Sequence, residues 1–256
     1  MAHCPHCSME VEIAATVCGH CGQLLPAARI GFHRLKDPLE GPLYEVRIKA
    51  YLQEGWGLFK QQAVFFVGFF LLMLLIQGVV RLLPMVGRLA GFVLAAPLSV
   101  GPMMVAARLL RNQEVKFPDF FGGFQYFLPL LLMSLVGAVI VLIGALPLLG
   151  LGFLAGGMAG MVFISLLAFL VVIAVLTLYL FAPLLIVERR LDFWPAMEMS
   201  RKTVLRRLVE VFAFIALLSL INLAGALLLG VGLIITVPWS WCIVTAAYAD
   251  IFGLEP

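Results

Sequence analysis

The sequence predicts an all-α polytopic membrane protein of about six transmembrane helices, with a small cysteine-clipped β-hairpin knob at its N-terminus. Three observations carry this. The chain is 63% hydrophobic and only 12% charged over 256 residues, with a mean hydropathy of +1.11, where soluble domains carry roughly 25% charged residues. Its uncharged stretches are long enough to cross a bilayer, some of them twice. Four of its five cysteines fall within the first 21 residues as two CxxC pairs.

Those pairs, Cys4-Pro5-His6-Cys7 and Cys18-Gly19-His20-Cys21, offer four thiolates. Each pair supplies two from one tight turn, the geometry a tetrahedral zinc site requires. Gly22 after Cys21 suits a knuckle in which backbone amides point at the sulfurs, and Ser8 stands at the equivalent place after Cys7. The segment CPHCSMEVEIAATVCGHCGQLL resembles the short zinc ribbons at the N-termini of many prokaryotic proteins. The resemblance implies a structural Zn2+ held by Cys4, Cys7, Cys18 and Cys21, in a knob that folds only with metal. Rubredoxin-type iron needs a longer intervening chain. A dithiol redox pair needs a βαβ context absent here, and His6 or His20 would be a ligand only in place of a cysteine. With four thiolates bound no coordination position stays open, so the knob reads as a docking module and not a catalytic centre. Residues 1–28 hold no Lys or Arg, while Glu10 and Glu12 do occur, which argues against nucleic acid as a partner. A protein partner is the expectation.

The organisation follows as a ribbon at 1–26, a mixed-charge linker at 27–42 and a transmembrane domain at 43–256. No basic stretch followed by an apolar run opens the chain, so no cleavable signal peptide is expected. Thiols kept for a metal imply a reducing compartment. The fifth cysteine, Cys242, lies in an apolar run and reads as a small buried hydrophobe.

Spans are expected at Gln61–Val80 and Leu89–Ala107, the second crossing Pro97 and Pro102. Residues 120–187 carry no charge over 68 positions, roughly 100 Å of helix, so they fold back into spans near 126–149 and 160–187. The apolar, glycine-rich Pro147–Gly160 between them is expected as a short loop or a re-entrant segment. Residues 211–249, uncharged for 39 positions, give two more spans turning at Gly230-Val231-Gly232. Of 17 Lys and Arg, 15 fall on one side of these spans and two, Arg81 and Arg88, on the other. The asymmetry places both termini in the cytoplasm.

Ahead of each odd-numbered span an amphipathic segment is expected to lie in the interface. The first places Tyr44, Ile48, Tyr51, Leu52 and Phe59 on one helical face. The second places Phe117, Phe120, Phe121 and Phe124 at α-helical spacing behind Pro118. The third has Trp194, Met197, Val204, Leu205 and Leu208, with Pro195 in its first turn. Each even-numbered span carries a proline before its end, at Pro97, Pro183 and Pro238. The pattern divides the domain into three units near 43–111, 114–190 and 191–252.

This arrangement, with segments such as FAPLLIVERRLDFWPAMEMSRKTV and GVGLIITVPWSWCIVTAAYADIF, resembles the six-helix prokaryotic membrane proteins of the glycerophosphodiester phosphodiesterase membrane-domain and YciC-like kind, over about residues 43–252. The resemblance implies the prokaryotic inner membrane; most such proteins have no assigned activity, and since the soluble phosphodiesterase domain of some relatives is missing here, no lipase chemistry is carried over. No catalytic residue is singled out. No HExxH, GxSxG or phosphate-cradling glycine loop occurs, and no ionisable side chain falls in mid-span, where ion-driven carriers keep one. Polar side chains there, such as Gln77, Ser134, Ser165, Thr177, Tyr179, Ser219, Asn222, Thr236 and Ser240, suit helix packing. Gly122-Gly123 and the 156–160 run permit close backbone approach. The basic group Arg201, Lys202, Arg206 and Arg207 suits anionic headgroups or simple anchoring. The sequence thus points to a non-enzymatic membrane adaptor with a ribbon docking module, and in second place to a carrier or flippase for a lipidic or apolar substrate.

Overall fold

In the computed structural model, the described residues are 2–3, 10–11, 39, 43–83, 86–155, 158–228 and 230–254. Two short strands, β1 (Ala2–His3) and β2 (Glu10–Val11), pair antiparallel with Ala2 opposite Val11. They flank the Cys4/Cys7 pair in sequence. Cys4, Cys7, Cys18 and Cys21 themselves lie outside the described residues, as does most of the linker.

The remainder is helical. Helices α1 (Ile48–Gln61), α2 (Ala63–Arg81) and α3 (Val86–Leu110) come first. A 3-10 helix (Phe117–Tyr126) then leads into α4 (Phe127–Ala155), α5 (Met158–Leu178) and α6 (Ala182–Glu188). Finally come α7 (Phe193–Arg206), α8 (Leu208–Leu227) and α9 (Leu233–Phe252). Among the described residues, six stretches are long and apolar enough to span a membrane: 63–81, 87–110, 117–148, 160–188, 208–227 and 233–252. This is the architecture of an integral membrane protein.

Two details depart from expectation. Pro147 does not end a span, because α4 runs through it to Ala155; membrane helices tolerate proline where surrounding groups re-satisfy the freed backbone. The stretch 147–155 is therefore helix and not loop. Pro183 does break its span, separating α5 from α6 at residues 179–181. Pro97, Pro102 and Pro238 lie inside continuous helices.

The core is concentrated at one end, here called the capped end, where α1, the 3-10 helix and α7 lie against the last turns of α3, α6 and α9. About half of α3's span and 61% of α9's is buried, against 6–22% for the other four. Each short helix packs on the second span of the preceding pair: the 3-10 helix on α3, α7 on α6, and α1 back onto α9. The contacts are close enough to exclude side chains. A Cβ at Gly101 would lie 1.7 Å from the Phe120 carbonyl oxygen, one at Gly123 2.2 Å from that of Pro97, and one at Gly55 2.8 Å from the Ile243 backbone. Gly123 is thus spent on internal packing.

The amphipathic faces are corrected in two places. The second segment is a 3-10 helix, so its period of three aligns Phe117, Phe120 and Gly123. Phe120 is fully buried while Phe124, expected inward, is 39% exposed. On α7 the buried face is Ala196, Met197, Ser200, Thr203 and Val204, while Trp194 is 60% exposed and Leu205 and Leu208 also face out. Ala196, Ser200 and Thr203 keep this face small enough to admit α6, and Ser200 supplies a hydroxyl to the backbone broken before it.

That repair is specific. Ser200 Oγ donates to the Leu178 carbonyl at 2.9 Å and accepts from the Phe181 N–H at 3.3 Å, satisfying groups that the break before Pro183 leaves outside the helical ladder.

Charged side chains tie the capped end together. Arg111 at the end of α3 pairs with Glu188 of α6. Arg189 donates to the Phe252 carbonyl of α9 at 2.7 Å, its guanidinium 5.6 Å from that ring's centroid. Thr245 of α9 lies 3.5 Å from the Met103 carbonyl of α3. Between the short helices and their hosts, Arg47 pairs with Asp250, which also accepts from Tyr51 at 2.8 Å, and Arg108 pairs with Asp119 at 2.7 Å. Arg201 and Lys202 both pair with Glu198, and Arg207 with Glu210, so the expected basic group is engaged within the fold.

Candidate functional site

Among the described residues, no three His, Cys, Asp or Glu side chains gather as metal ligands. Cys242 is a fully buried free thiol in α9, as its apolar surroundings suggested. The site the helices build is a lateral groove. It has a volume of about 620 Å³ and lies between α4 with the end of α5 on one side and α8 on the other, with α3 and α9 behind. That volume is ordinary for a small-molecule site.

The walls follow from helical periodicity. On α4, Met133, Ser134, Gly137, Ala138 and Val141 recur at spacings that keep them on one face. A Cβ at Gly137 would meet nothing within 4 Å, so this glycine opens space instead of closing a helix contact. On α8, Ile215, Leu218 and Asn222 form the facing wall. Leu176, 59% exposed, marks the open side. Tyr179, Pro183 and Met197 line the groove toward the capped end and Phe92 toward the other. The Pro183 break therefore shapes its floor.

Polar atoms are few. Ser134 Oγ donates to the Leu130 carbonyl at 2.9 Å and Ser240 Oγ to that of Thr236 at 2.7 Å. Asn222 crosses from α8 to α9, its Nδ2 donating to Ser240 Oγ at 2.9 Å and to the Leu218 carbonyl at 3.0 Å. Because the Leu218 oxygen accepts only, the amide orientation is fixed and the carbonyl atom is Oδ1. That Oδ1 is buried with no hydrogen-bond partner among the described residues. Behind the mainly apolar groove wall, Asn222 thus keeps an enclosed, unsatisfied acceptor.

Of the polar span residues singled out from sequence, Ser134, Tyr179, Ser219, Asn222 and Ser240 come together here. Thr177 bonds its own helix at the Ile173 carbonyl, 2.8 Å away, and Gln77 lies elsewhere. Sequence reasoning assigned Ser134 and the other polar span residues to helix packing; Ser134 one turn from Gly137 was the available signal for a groove. Comparison with family models, with characterised proteins and with solved structures finds no match to this chain.

Proposed function

We propose that this is a non-enzymatic integral membrane protein that takes a lipidic or apolar ligand into the lateral groove, acting as a carrier or flippase, while an N-terminal zinc ribbon docks a protein partner in the cytoplasm. The groove supports the reading. A six-helix adaptor needs only a packed bundle, whereas here two helix pairs stand apart around an open-sided, mainly apolar space. A ligand whose membrane-buried part is uncharged requires no ionisable residue in mid-span, and none is present in the apolar parts of the spans. The order of the two sequence-based readings is thereby reversed. The three-unit repeat with short helices in the interface, the cytoplasmic placement of both termini and the prokaryotic inner membrane belong to the same proposal, together with the membrane-domain resemblance over 43–252.

Filling the groove tests it. Gly137→Phe should enter open space without unfolding the protein and abolish co-purification of a lipid and any saturable lipid movement in reconstituted vesicles. Unchanged lipid retention and movement would refute the carrier reading.

The adaptor alone remains a distinct second reading, favoured by the β1–β2 pairing around Cys4 and Cys7. Under either, purified protein should hold about one zinc per chain, lost in Cys4→Ser/Cys7→Ser by metal analysis. A metal-free wild type would remove the ribbon from the proposal.

A further inference from the structure

A second cavity, of about 920 Å³, lies at the end opposite the capped one, between the end of α2 and the start of α3. Its lining includes Gln77, Arg81, Arg88 and Gly91, and it shares Phe92 with the lateral groove. Gln77 and Arg81 stand one turn apart on the same face of α2, and that face is turned toward α3, since a Cβ at Gly91 would lie 3.2 Å from Gln77 Oε1. Both arginines are exposed, and no ion pair is formed by either among the described residues.

The distribution of acids makes this pair unusual. No Asp or Glu occurs between Glu54 and Glu114 or between Asp119 and Glu188. The acids of the described helical domain all belong to the capped end, so this end offers its two cations no carboxylate. These two are also the exceptions to the 15-to-2 distribution of basic residues. Helix α2 spans 19 residues, about 28 Å, which sets Arg81 at the depth of a headgroup layer when the start of α2 lies in the other. A cationic cradle at headgroup depth, with Phe92 lining both it and a mainly apolar groove, matches the two halves of one amphiphile.

We infer that the groove's ligand is an anionic phospholipid, its phosphate held by Arg81 and Arg88 with Gln77 beside them and its acyl chains lying past Phe92 into the lateral groove. The inference rests on the proposed groove function and adds the headgroup chemistry. Guanidinium groups suit phosphate through paired, charge-assisted hydrogen bonds.

The test measures lipid retained by purified wild type, Arg81→Gln/Arg88→Gln, Arg81→Lys/Arg88→Lys and Gly137→Phe. Each is offered phosphatidylglycerol and phosphatidylcholine with matched acyl chains, and bound lipid is counted by native mass spectrometry. Wild type should prefer phosphatidylglycerol. The glutamine pair should lower that preference roughly thirtyfold while total bound lipid persists, and the lysine pair should retain most of it. Gly137→Phe should lose both lipids. An unchanged preference in the glutamine pair overturns the headgroup assignment and leaves the groove reading standing, with the arginines as interfacial anchors. Retention by Gly137→Phe overturns the groove reading instead. Added inorganic phosphate should displace no lipid; displacement would assign the cradle to a free anion and overturn the lipid assignment.

Discussion

Ser200 shows how one hydroxyl sustains a break in a span. It bridges the Leu178 carbonyl and the Phe181 N–H, and Ser200→Ala should leave both without that partner at a cost of about 1–3 kcal/mol, read as a lowered unfolding midpoint in detergent. Sequence reading missed the role because the need arises at the break between α5 and α6 and the answer sits on α7. The signal was there in part, as small residues at helical spacing facing a span with an internal proline. Tyr44 makes a similar long-range tie, donating to the Thr203 carbonyl at 3.0 Å. Burial, and next the Glu210 carboxylate, push its phenol from 10 up to about 12. The folded state thus keeps a proton that the unfolded chain gives up. Tyr44's contribution is complete below about pH 10 and is lost as pH rises through about 12. Tyr44→Phe should cost about 1 kcal/mol at neutral pH and lose stability less steeply between those limits, by thermal melts across the alkaline range.

At the element scale the capped end is held by polar ties made where three helix ends converge. Arg111 and Glu188 are 12% and 8% exposed, so removing one partner strands a buried charge. Glu188→Gln should destabilise by about 3 kcal/mol, while Arg111→Met/Glu188→Leu should be far milder; comparing single and double variants by chemical unfolding decides between a desolvated pair and a surface contact. The close approach of α3 to the 3-10 helix is equally testable. Gly101→Ala would press a methyl into the Phe120 carbonyl and should cost at least about 2 kcal/mol. Helix positions were legible because uncharged length is a direct consequence of bilayer thickness. The 3-10 geometry was not, since Phe117, Phe120, Phe121 and Phe124 satisfy an α-helical period as well as part of a period of three.

For the whole molecule, the cyclic packing of α1 on α9, the 3-10 helix on α3 and α7 on α6 gathers the core at one end and leaves the other looser. The groove and the two-arginine cavity belong to that looser part. The proposed orientation predicts that alkaline phosphatase fused after Arg88 is active and fused after Lys116 inactive. The reverse result would invert the topology and place the arginine pair in the cytoplasm.

Length without charge, the asymmetry of Lys and Arg and the paired cysteines are local properties, and they alone determined the membrane class, six spans, the expected sidedness and the candidate metal ligands. The tertiary structure decided which face of each short helix is buried, that Pro183 breaks a span while Pro147 does not, and that Ser134, Gly137 and Asn222 share a groove. Those outcomes depend on what a neighbouring helix supplies, a hydroxyl to a freed carbonyl or a gap where no side chain enters, and helices distant in the chain meet only in the fold.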